Sequence, residues 1–202
     1  MTIKNTKKGA AEATPEKNIC YKWFAIIDDK SDFSKLVSSE RIKHIEKAIK
    51  LYKSNDYAVK GLIFCSRVEE AKELSAKLNQ HGFYTTYLTG EHCDTEREAT
   101  IKRLESNEDK LEYIISVDIF NEGVDIPCVN QVVMLRPTQS AIIFVQQLGR
   151  GLRKDKSKTY VSVIDFIGNY RNNFMIPIAL SGDRSYNKDN IRRYLMEGGR
   201  VI

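Results

Sequence analysis

The chain has 202 residues, 42% hydrophobic and 29% charged, with 11 Gly and 4 Pro. That composition suits one globular domain with a short appendage and excludes a disordered chain. The net charge is +5, and the excess lies in residues 151–202, where 10 basic side chains face 5 acidic ones; such a basic quarter suits either a polyanionic partner or an ordinary solvated surface.

Residues 1–17 are Lys, Thr, Ala and Glu without a hydrophobic period and read as a disordered tail or a trimmed end. Cys20–Ile27 is short, aromatic and β-branched, which predicts a strand. Ile42, Ile45, Ile49 and Tyr52 recur at helical spacing behind Ser38 or Ser39 as a cap. Val59–Cys65 predicts a buried strand. The segment from Arg67 predicts a helix with Val68, Ala71, Leu74 and Leu78 inward and Gly82 as its stop. Phe83–Thr89 predicts a strand, Asp94–Ser106 a helix capped by Asp94 or Thr95, and Leu111–Val117 a strand. Gln131–Leu135 predicts a strand, Ser140–Arg150 a helix and Thr159–Phe166 a last strand. Apolar strands alternating with amphipathic helices imply right-handed crossovers and a mostly parallel sheet covered on both faces. Ligands of such sheets sit at the carboxyl ends of the strands, here the loops after Cys65, Thr89, Val117 and Leu135. Beyond Phe166 the sheet pattern stops; a helix is expected near Lys188–Met196, and the apolar ending Val201–Ile202 reads as a cut from a longer chain.

No apolar run approaches the ~20 residues of a membrane span, and the basic N-terminus lacks the apolar stretch of a secretory signal. Cys20, Cys65, Cys93 and Cys128 contain no C-x-x-C pair, which argues against zinc or a disulfide framework and fits a reducing cytosol. His44, His81 and His92 have no metal-ligand spacing. Cys65 reads as a buried structural thiol, and Trp23 with Tyr21 and Phe24 as core packing rather than a base-stacking surface.

Three segments carry chemistry. In Gln146–Arg153 (QQLGRGLR) a helix places Gln146 and Arg150 on one face, and Arg153 joins them if the helix continues. Two guanidiniums and an amide on one stripe suit a clamp on phosphate oxygens; equally, they suit a helix end whose dipole favours cations. In Ser116–Pro127 (SVDIFNEGVDIP) Gly123 permits a tight turn, and Asp125 can accept from a ribose hydroxyl, hold an arginine or cap the turn. In Gly61–Ala71 (GLIFCSRVEEA) Ser66 and Arg67 stand between a strand end and a helix N-terminus, a ready anion site or a simple cap with a surface arginine.

In order and spacing these segments resemble the C-terminal RecA-like lobe of superfamily 2 helicases and translocases. Gln146–Arg153 resembles motif VI, Asn121–Pro127 motif V, Gly61–Ala71 motif IV, and Tyr87–Glu98 the intervening segment with its Thr-Gly and helical arginine. The resemblance spans about Cys20–Ile202. It is nearest to helicases related to restriction-enzyme motor subunits and excision-repair helicases, including a bacterial subgroup whose long members carry a nuclease-like N-terminal domain. Glu122 stands where the DEAD-box version has Arg, and Val117 stands at a Thr position with Ser116 beside it.

The resemblance implies a three-layer α/β fold of the RecA-like, P-loop NTPase type. It implies a tail over 1–17, the lobe over 18–166 and, over 167–202, an extension that packs on the sheet and leads to a further domain. Arg153 and Arg150 would reach the ATP γ-phosphate across a cleft, with Gln146 ordering the cluster or the attacking water, and Gly123 and Asp125 would approach the nucleotide sugar. Ser66, Arg67, Thr89, Gly90, Arg97 and Ser116 would line a phosphodiester backbone, with DNA favoured over RNA. No G-x-x-x-x-G-K-[ST] and no D-E-x-H-type segment occurs. ATP and Mg²⁺ would therefore be held mainly by an N-terminal motor lobe, and this chain by itself is expected to be inactive. The expected setting is the cytoplasm, with no membrane partner and no metal site. A second reading is a nucleic-acid or partner-docking module without ATP hydrolysis, against which Gln146, Arg150 and Arg153 speak. A third is a flavodoxin-like phosphate-binding module, which lacks its glycine-rich loop here.

Overall fold

The computed structural model describes residues 38–53, 57–117, 119, 126–136 and 160–166, and the backbone of 19–23. Among the described residues six strands are present: β1 (Ile19–Trp23), β2 (Gly61–Phe64), β3 (Thr85–Leu88), β4 (Tyr113–Ser116), β5 (Gln131–Met134) and β6 (Val161–Asp165). Among the described residues three helices join them: α1 (Ser39–Leu51), α2 (Val68–Gln80) and α3 (Asp94–Glu105). The sheet order is β1-β6-β5-β2-β4-β3, and every pairing is parallel. The expected parallel α/β architecture is therefore present. The helices expected over Ser140–Arg150 and Lys188–Met196, and the segments 1–17 and 167–202, lie outside the described residues.

Local sequence explains each element. Ser38 Oγ accepts the Arg41 N–H at 3.3 Å and caps α1, as its position predicts. Gly82 ends the turn after α2 at φ +87°, a conformation that favours glycine. Helix α3 departs from expectation, because its cap is Cys93 rather than Asp94 or Thr95. Cys93 has extended backbone, and Glu96 reaches back to accept its N–H at 2.9 Å, as the last residue of a capping box does. That bond holds the Glu96 carboxyl below its ordinary range.

The sheet separates two apolar layers. On one face Ile42, Ile45 and Ile49 of α1 and Ala71, Leu74 and Leu78 of α2 pack on Ile63, Ile115, Val133 and Ile164. On the other face Leu104 of α3 joins Leu62, Phe64, Ile114, Val132 and Val163. Chain order accounts for this division. The β2-to-β3 crossover runs outward to the sheet edge and the β3-to-β4 crossover runs back. Right-handed crossovers that reverse direction change face, and α2 and α3 do pack on opposite faces.

At the amino edge Gly61 stands beside Tyr113 and Gln131 in register. A Cβ on Gly61 would lie 2.2 Å from Tyr113 Cε1, so only glycine admits the buried ring. The Tyr113 hydroxyl donates to Gln131 Oε1 at 2.7 Å, and Gln131 Nε2 donates to Ile49 O at the end of α1 at 3.3 Å.

Candidate functional site

Parallel pairing brings the carboxyl ends of five strands into one row. Phe64, Ser116, Leu88, Met134 and Asp165 are in register across β2, β4, β3, β5 and β6. Backbone bonds extend the row one residue into the loops. Cys65 N–H donates to Ser116 O at 2.9 Å, Val117 N–H to Leu88 O at 3.2 Å, Leu135 N–H to Phe64 O at 2.9 Å and Phe166 N–H to Met134 O at 3.0 Å. The loops after Cys65, Thr89, Val117 and Leu135 therefore share one edge.

Ser66 and Arg67 are exposed at the end of β2. The Ser66 N–H points inward and donates to Glu70 Oε2 at 3.0 Å. Any phosphate contact of Ser66 consequently falls to its hydroxyl. Glu70 is buried on the first turn of α2, and its Oε1 pairs with Arg41 Nη1 at 2.7 Å. Arg41 Nη2 also donates to Leu135 O at 3.3 Å. Cys65 is buried, as expected; burial pushes its thiol pKa well up, the Glu70 charge adds to the shift and Arg41 opposes it.

The loop after β3 is a compact turn. Thr89 is buried and Gly90 exposed. The Thr89 N–H donates to His92 Nδ1 at 3.1 Å, and the Glu91 N–H donates to Thr89 Oγ1 at 3.3 Å. Arg97 closes the turn from α3: Nη2 donates to Gly90 O at 3.1 Å and Nη1 to Asp94 Oδ1 at 3.2 Å. Its Nε is buried without a partner.

Ser116 ends β4 with 0% exposure, and its Oγ has no hydrogen-bond partner. A buried hydroxyl without a hydrogen-bond partner is rare and calls for an explanation. The row thus brings together Ser66, Arg67, Thr89, Gly90, Arg97 and Ser116. Gly123, Asp125, Gln146, Arg150 and Arg153 lie outside the described residues.

Sequence reading missed Arg41, Glu70 and His92 as builders of this edge. The available signal was a charge flanking an inward apolar stripe: Arg41 beside Ile42 and Glu70 beside Ala71. Among the described residues no group of three or more His, Cys, Asp or Glu could hold a metal ion. Among them, too, no helix is long and apolar enough to cross a membrane.

A family model described as the helicase conserved C-terminal domain matches residues 40–155. The putative ATP-dependent helicase IRC3 of Saccharomyces cerevisiae is 30% identical over 136 residues, covering 67% of this chain and 19% of that protein. The chain spans 19% to 32% of the length of three curated relatives that it matches. The structure of the C-terminal domain of the DEAD-box protein Dbp5 superimposes with a TM-score of 0.60 at 19% identity, covering 90% of this chain and 88% of that one. A fragment of a putative HsdR subunit of a type I restriction enzyme from Vibrio vulnificus YJ016 gives 0.57 at 25% identity, with 79% and 33% covered.

Proposed function

The chain belongs to the family of helicase conserved C-terminal domains, and from that premise we propose that it is the second motor lobe of an ATP-dependent helicase or translocase acting on DNA. The observation that carries the reading is the single carboxyl edge, where exposed Ser66 and Arg67, the Thr89–Gly90 turn and the unspent Ser116 hydroxyl converge.

In this reading Ser66, Arg67 and Gly90 form the exposed part of a phosphodiester-binding surface, and Arg97 and Thr89 hold its turn in shape. Ser116 supplies a hydroxyl that a phosphate oxygen completes, which fits a donor with no protein partner. Contacts of this kind position a backbone and read no sequence, as a translocating motor requires. ATP is the substrate of the composite site. Arg150 and Arg153 offset charge on its γ-phosphate, Gln146 orders that cluster, and Gly123 and Asp125 approach the sugar. Mg²⁺ belongs to the partner motor lobe. Residues 18–166 make up the lobe, and 167–202 lead to a following domain. The lobe by itself does not hydrolyse ATP.

The test is ATP hydrolysis by the parent-length protein, with DNA, with RNA and with neither, for wild type and Arg153→Ala. We expect DNA-stimulated hydrolysis that falls about 10³-fold in the variant, the scale of a lost arginine finger. Hydrolysis indifferent to Arg153 removes the finger assignment. Stimulation by RNA alone reassigns the substrate. Nucleic-acid binding without any hydrolysis favours the docking-module reading.

A further inference from the structure

Arg41, which no segment of the motif pattern includes, forms an ion pair at the carboxyl edge with Glu70, near the end of the Gly61–Ala71 segment. Arg41 lies in the first turn of α1 and is 9% exposed, and Glu70 lies in the first turn of α2 and is 1% exposed. Both carboxylate oxygens are engaged: Oε1 accepts from Arg41 Nη1 at 2.7 Å and Oε2 from the Ser66 N–H at 3.0 Å. The second Arg41 nitrogen donates to Leu135 O at 3.3 Å. One pair thus ties the loop after β2 to the loop after β5.

A buried ion pair is a poor source of stability, because desolvation offsets most of its attraction and apolar residues of similar size do as well. Apolar residues cannot, however, hold the Ser66 N–H. With that N–H drawn inward, the chain leaves β2 in one direction and presents Ser66 and Arg67 at the surface. Arg41 has a second effect. A bare carboxylate beneath a phosphate path would repel it, and the guanidinium neutralises that charge where water screens it least.

We infer that Arg41 and Glu70 are positioning residues, which hold the Ser66–Arg67 loop in the geometry that grips a nucleic-acid backbone. The inference rests on the motor reading above. The test uses the parent-length protein with Arg41→Met and Glu70→Met together, which replaces the pair by apolar side chains and releases Ser66. Binding of a fluorescein-labelled single-stranded DNA should weaken about tenfold, the scale of a lost hydrogen bond to a charged group. Melting temperature should stay within a few degrees, because apolar replacement of a buried pair is close to neutral. Turnover at saturating DNA should stay within about twofold, because the pair acts on binding and not on the bond-breaking step. Arg41→Lys, which keeps a cation beside Glu70, should keep affinity within about threefold.

Unchanged affinity in the paired variant overturns the inference. A joint fall of affinity, melting temperature and saturated turnover also overturns it, since that is the mark of a structural role. A wild type that binds no DNA removes the motor reading and this inference together. A wild type with DNA-stimulated turnover beside a paired variant of normal affinity removes this inference alone.

Discussion

The two edges of the sheet differ in how completely they satisfy their buried polar groups. At the amino edge each one is answered by another part of the fold. Lys60 Nζ donates to Ser106 O at 2.8 Å, closing the end of α3. Asn130 accepts the Lys60 N–H at 3.0 Å and donates to Ala58 O at 2.7 Å. Tyr113 donates to Gln131, and Gln131 in turn donates to Ile49 O of α1. At the carboxyl edge Arg41, Glu70 and Thr89 are answered in the same way, but the Ser116 hydroxyl and Arg97 Nε have no partner, and Ser66, Arg67 and Gly90 are exposed. The amino edge uses its polar groups to hold the strands in register, and the carboxyl edge leaves two buried groups, Ser116 Oγ and Arg97 Nε, without a partner. Substitutions should therefore separate stability from binding according to edge.

The largest effect on stability is expected from Gly61→Ala. Its Cβ would overlap the fully buried Tyr113 ring, and the overpacking should cost about 3 kcal/mol in urea unfolding. DNA affinity of the folded fraction should not change; a loss of affinity at full stability would break the division between edges.

Tyr113→Phe should cost less, about 1–2 kcal/mol, because it leaves Gln131 Oε1 buried without its donor. Its signature lies in the pH dependence. Burial pushes the Tyr113 phenol well above its ordinary range, so the folded state disfavours the phenolate. The stability this reflects is complete below the unfolded pKa of about 10 and is lost as pH rises further. Cys65, also raised by burial, contributes a slope of the same sign from about pH 8.5. The phenylalanine variant should lose the part of the alkaline slope above about pH 10. An unaltered slope in alkaline melting curves would show that Tyr113 does not carry it.

The smallest stability effect, and the sharpest test, belongs to Ser116→Ala. Removing a buried hydroxyl that has no partner should leave stability within about 0.5 kcal/mol or raise it. DNA affinity should fall about threefold or more, the cost of one hydrogen bond. A clear loss of stability with full affinity would mean that the hydroxyl is spent inside the protein and that the two edges do not differ.

Much of this was legible in the residues. Strands β2, β4 and β5 are continuous apolar runs because helices cover both faces, and α1 and α2 show their inward stripes directly. The cap of α3 was misplaced by a residue or two, because Cys93 is a poor cap by type and its partner Glu96 supplies the bond. Ser66 and Arg67 were legible at a strand end, and a parallel sheet sends all its strand ends to one edge; Thr89, Gly90, Arg97 and Ser116 joined them through the family resemblance.

Their individual tasks were not legible. Arg97 stood in the motif pattern as a backbone contact, yet its guanidinium reaches the Gly90 carbonyl and Asp94. The Arg41–Glu70 pair joins residues 29 positions apart, and the Arg41–Leu135 bond joins residues 94 apart.

The sequence by itself determined the alternation of strands and helices, the parallel class of the sheet and the single edge to which the strand ends run. All of these follow from periodicity and from the steric hand of the crossover, which are local properties of the chain. Tertiary structure alone decided the order β1-β6-β5-β2-β4-β3, the face each helix covers and which buried donors are answered. Those outcomes depend on which distant segments become neighbours, and hydrogen-bond satisfaction is a property of neighbours in space.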